Sequence, residues 1–100
     1  MKFNDIKFDN YLDGVATRIN FGHLNLSVIK HSGSYGGKIG LYEIGVFFGG
    51  ELTELPGITA EGDCVNGYLT KSAVTAIMQK LYLITAKNPV NIQVSNMETA

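Results

Sequence analysis

Apolar and polar side chains alternate strictly along "VATRINF", with Val15, Thr17, Ile19 and Phe21 on one side and Ala16, Arg18 and Asn20 on the other. A period of two is the mark of a strand with one buried face. Gly22 and His23 follow, and "LNLSVIK" alternates again, setting Leu24, Leu26 and Val28 against Asn25, Ser27 and Ile29. Two such runs around a glycine-containing link predict a β-hairpin. In "IGLYEIGVFF", Tyr42, Ile44, Val46 and Phe48 form one face, while Leu41, Gly45 and Phe47 keep the other largely apolar around Glu43. That pattern predicts a central strand whose second face is covered by another layer or by a partner.

The period changes to 3.6 after Thr70. Val74, Ile77, Met78 and Leu81 fall at i, i+3, i+4 and i+7, and Leu69, Ala73 and Ile84 widen the stripe. Thr70 is an N-cap type and Asn88-Pro89 a stop, so the spacing predicts a helix over Lys71–Ala86. Lys80 and Lys87 suit its negative C-terminal end. At the start, Phe3, Ile6 and Phe8 read as a short strand, and "DNYLDG" as a turn. Val90, Ile92 and Val94 alternate with Asn91 and Gln93 as a last strand, after which a tail from about residue 95 is expected to fray. Between residues 49 and 63 the chain is acidic and punctuated by Gly and Pro. Leu52, Leu55 and Ile58 are placed to pin this excursion to the core, with one brief strand.

These elements predict one α+β domain over residues 1–100: an antiparallel meander of about four strands, one C-terminal helix packed on one face, and a short last strand. One hundred residues bury about 65% of the unfolded surface, enough for one core. Charged residues are only 17%, against about 25% in an average domain, which favours self-association or a standing partner.

The net charge of −1 gives no bulk attraction to nucleic acid or to an anionic membrane. Its distribution is uneven. Arg18, Lys30 and Lys38 are the only charges from residue 15 to 38, and Glu43, Glu51, Glu54, Glu61 and Asp63 the only ones from 39 to 70. Cys64 is the single cysteine, which excludes an internal disulfide and fits a reducing compartment. The first ten residues lack the apolar run of a secretory signal, and no apolar stretch approaches membrane-spanning length, so a cytoplasmic protein is expected.

"HSGSYGGKIG", residues 31–40, holds four glycines and invites comparison with a phosphate loop. A P-loop requires Gly five residues before the Gly-Lys pair, Ser or Thr after it, and a helix beyond. Here Ser32 and Ile39 occupy those places, and a strand follows. The stretch reads as a mobile hairpin end, in which Tyr35 can anchor a partner and Lys38 supply a charge. His23, His31, Ser32, Ser34 and Cys64 have no spacing typical of a nucleophile and its base, and no metal-ligand spacing is present. No enzyme and no cofactor is predicted. Glu51 and Glu54 can meet a basic partner surface. Tyr68 and Tyr82 fall off the helical stripe and are the remaining contact candidates.

Together, "LYEIGVFFGGELTELPGI" and "GYLTKSAVTAIMQKL" resemble small accessory proteins of tailed bacteriophages and prophages. The resemblance covers residues 24–86 and is one of style, so it transfers no functional residue. It implies a non-enzymatic protein of the bacterial host cytoplasm that occludes a host or defence protein, as anti-CRISPR proteins do. A homodimer fits the low charge. Two other readings stay open: a small-ligand or nucleotide-binding oligomer with Lys38 and Arg18 on the anion, and a phage structural or assembly component.

Overall fold

Phe21 stands opposite Leu24 across the two-residue turn Gly22-His23, closing a hairpin of β2 (Gly14–Phe21) and β3 (Leu24–Lys30) in the expected register. The Asn20 side chain locks the turn by accepting from the Gly22 N–H and donating to the Gly22 carbonyl. The computed structural model describes residues 1–92. β4 (Tyr42–Phe48) pairs antiparallel with β3, so β2–β3–β4 is a meander. Two short strands finish each edge. β1 (Asp9–Tyr11) and β7 (Val90–Ile92) share the free edge of β2, and β5 (Glu51–Leu52) and β6 (Val65–Leu69) share that of β4. All pairs are antiparallel, and both outer edges of the sheet are made of strands of two to five residues, short edges that resist the addition of another chain.

The helix α1 (Lys71–Thr85) lies across one face. Thr70 Oγ1 accepts from the Ala73 N–H, as its position before the helix predicts. Val74, Ile77, Met78 and Leu81 bury against Ile19, Phe21, Leu26, Val28, Ile44 and Val46. Ile58 joins them from the excursion after β5, which confirms it as a pin. No helix among the described residues is long and apolar enough to cross a membrane.

Several expectations are corrected. The opening residues form a 3-10 turn over Phe3–Asp5, not a strand; the first strand is Asp9–Tyr11, inside the stretch read as a turn. The Asp5 carboxylate accepts from the Lys2 N–H, and the Phe3 N–H donates to Thr75 Oγ1, so this segment bonds to the helix and adds no strand to the sheet. Phe3 then packs edge-on to Tyr42 at 4.8 Å. β6 is a strand that the sequence pattern does not predict, because Asn66 and Gly67 are poor strand formers; Leu69 lies at its end, before the helix. Leu52 pairs with Phe47 and therefore points away from the helix, over Gly45. Ile84 is 56% exposed and lies outside the buried stripe. Phe48 runs past the core edge and meets His23 ring to ring at 5.7 Å. Val94 and the tail lie outside the described residues.

On the sheet face opposite the helix, the Arg18 guanidinium stacks 3.9 Å above the Phe47 ring, reaching across β3. Burial pulls the Arg18 pKa down from its ordinary value. Arg18 thus supplies part of the second-face cover that the apolar pattern of β4 called for.

Candidate interaction surface

The segment between β3 and β4 is built from hydrogen bonds. Ser34 Oγ accepts from the His31 N–H at 2.9 Å and donates to the His31 carbonyl at 2.8 Å, and Ser34 is buried. His31 Nδ1 accepts from the Gly33 N–H, so His31 Nδ1 and the Ser34 hydroxyl are each turned to main-chain groups. The Ser32 N–H donates to Asp13 Oδ1 at 2.9 Å, tying the loop to the β1–β2 turn. The Ser32 side-chain and backbone hydrogen bonds hold the Asp13 carboxyl below its usual range. A 3-10 turn at Gly37–Ile39 follows, and the Leu41 N–H returns to the Gly36 carbonyl at 2.9 Å.

The same loop is fastened to the sheet on its other side. The Tyr35 N–H donates to Glu43 Oε1 at 2.7 Å, and the Tyr35 carbonyl accepts from the Tyr68 N–H at 3.1 Å. A Cβ on Gly37 would fall 1.8 Å from the His31 carbonyl oxygen, and one on Gly67 would fall 2.4 Å from Tyr35 Cβ. Glycine is needed at these places so that backbones can touch. The expected mobile hairpin end is therefore corrected to a bonded loop. Four glycines in ten residues signal either case, and the partners that decide, Asp13, Glu43 and Tyr68, are distant in sequence.

Tyr68 sits at the irregular pairing of β6 with β4, with φ at 55°. The left-handed region costs a side chain with a Cβ about 1–2 kcal/mol. Tyr35, Ile39 and Tyr68 are 58%, 70% and 62% exposed. Lys38, Ile39 and Tyr68 border a concavity of about 270 Å³ with Ser32, Ser34 and Gly36. Aromatic anchors beside a cation on a preformed frame match the composition of binding hot spots.

Three of the six contact candidates, Tyr35, Lys38 and Tyr68, are thus brought together. The other three are elsewhere. Glu51 lies opposite Phe48, at the far end of β4 from Glu43. Glu54 folds the excursion on itself by accepting from the Gly62 N–H at 2.7 Å. Tyr82 is on the helix, lining a different groove. Arg18 takes no part in lining the concavity beside Lys38. Ile39, which opens the apolar run of β4 in the sequence, belongs instead to the 3-10 turn and to this surface; the glycines at 36 and 40 that bracket it are the signal for that turn. Among the described residues no group of His, Cys, Asp and Glu is arranged to hold a metal ion.

No family model, curated protein or solved structure matches the chain.

Proposed function

We propose that this is a non-enzymatic binding protein that captures a protein partner through Tyr35, Lys38, Ile39 and Tyr68, and acts by occluding it. The observation that carries the reading is Tyr68: an exposed aromatic held in left-handed backbone and bonded to the main chain of a second exposed tyrosine. Strain of this kind persists where surrounding structure over-determines it, and it concentrates at functional positions. The bonded loop also lowers the ordering cost that a free glycine-rich loop would impose on binding. Occlusion of a host or defence protein in a bacterial cytoplasm is the role implied by the resemblance to phage accessory proteins.

The test is affinity capture from the source cell with the wild-type chain, Tyr35→Ala and Lys38→Ala in parallel. A partner retained by the wild type and lost from both variants, with melting temperatures unchanged, supports the reading. Equal capture by all three rejects the surface.

The concavity beside Lys38 favours a second reading, a small anionic ligand. A nucleotide that raises the melting temperature of the wild type, but not of Lys38→Ala, would select it.

A further inference from the structure

The second half of α1 carries three consecutive exposed residues with large apolar surface, Tyr82, Leu83 and Ile84, and Leu83 is 79% exposed. Leu83 stands between two grooves. One, of about 470 Å³, is lined by Met1, Gln79, Tyr82 and Pro89; the other, of about 300 Å³, by Pro56, Gly57, Lys80 and Ile84. Among the described residues neither is lined by an acid, and Lys80 is the one Lys, Arg, Asp or Glu in their lining, its Nζ donating to the Gly57 carbonyl at 3.1 Å. Outward helix faces of soluble domains ordinarily carry charge. This one does not.

We infer that this face is the two-fold interface of a homodimer, in which Leu83 of each copy seats in a groove beside Leu83 of the other. A two-fold contact requires one surface to carry both the projection and the recess that receives it. Leu83 and its flanking grooves meet that condition within a single patch. At roughly 100 Å² for each large apolar side chain, Met1, Tyr82, Leu83 and Ile84 present about 400 Å². The rim of Gln79, Lys80, Pro56 and Pro89 extends the face toward the ~800 Å² that each partner contributes to a standard interface. A second copy also brings no acid to oppose the apolar groove walls. A membrane surface fits less well, because one lysine offers little attraction to anionic lipid and recesses favour inserted side chains. The face is separate from the Tyr35–Tyr68 surface, so the inference stands independently of the proposed function.

Sedimentation equilibrium across the micromolar range tests it. The wild type should shift from one chain mass to two as concentration rises, and Leu83→Glu should weaken the dimer about ten-fold or more. Leu83 is outside the core, so the variant should keep the wild-type circular dichroism. In a Cys64→Ser background, Leu83→Cys should form a disulfide-linked dimer on mild oxidation, while Ile39→Cys should not. This second measurement does not depend on the glutamate variant. A wild type that stays monomeric overturns the inference, as does a dimer unaffected by Leu83→Glu. A monomer that instead floats with phosphatidylserine vesicles through Leu83 also overturns it, by naming a different occupant.

Discussion

The Tyr68 amide donates to the Tyr35 carbonyl across 3.1 Å, joining a loop after β3 to a strand more than thirty residues later. Gly67, next to Tyr68, permits the approach, because any Cβ there would strike Tyr35. Two residues with exposed aromatic side chains are thereby tied together through their main chains. The surface can therefore be altered at either side chain while its frame stays in place.

Replacing Tyr68 by Asn separates presentation from stability. Asn tolerates left-handed backbone better than Tyr does, so the folded state should be as stable or up to ~1 kcal/mol more stable in urea titration. Partner capture should fall about ten-fold or more, as expected when an aromatic anchor is lost. A variant that binds normally would remove Tyr68 from the contact surface.

Gly37→Ala probes the frame. Its Cβ would stand 1.8 Å from a carbonyl oxygen of the main chain, so the backbone must move at a cost of about 1–3 kcal/mol. The same variant should weaken capture, although residue 37 need not touch the partner. Urea denaturation, read alongside binding, checks both parts.

Acid should loosen the Ser32 anchor. The hydrogen bonds from Ser32 hold the Asp13 carboxyl below its ordinary range, so the native state favours the carboxylate. The resulting stabilisation is complete above the unfolded carboxyl pKa and is lost as pH falls through the lower folded value. The Ser32 amide shift in NMR should follow that transition, and Asp13→Ala should abolish it. A Ser32 amide that is flat down to pH values below the carboxylate range in the wild type would contradict the anchor.

Asn91 fastens the last strand. Its side chain accepts from the Lys7 N–H and donates to Thr17 Oγ1 at 2.9 Å and to the Arg18 carbonyl at 3.2 Å. Thr17 is fully buried. Asn91→Leu should cost about 1–2 kcal/mol, since the Lys7 N–H and the Arg18 carbonyl each lose a partner while Thr17 Oγ1 keeps the Ile92 carbonyl. Equilibrium unfolding gives the value, and loss of less than half that amount would show that the Asn91 side chain does not fasten β7.

The sequence by itself determined the elements whose period is local and long. Two matching alternations around Gly22, the 3.6-residue stripe with its Thr70 cap, and the acidic excursion pinned by Ile58 all stand in the fold. Each rests on residues a few positions apart, where side-chain direction follows directly from backbone geometry. Tertiary structure alone decided the rest. Phe3–Asp5 turns because Thr75 receives its amide, and Val65–Leu69 becomes a strand because β4 offers an edge. The glycine-rich loop is fastened by Asp13, Glu43 and Tyr68. Six contact candidates were legible as residue types, yet only Tyr35, Lys38 and Tyr68 share a surface, because which loops converge is settled by strand order. Leu83 falls opposite the Val74–Leu81 stripe, so its outward position follows from helix period; only the tertiary structure set Met1 and Pro89 on one side of it and Pro56 and Gly57 on the other.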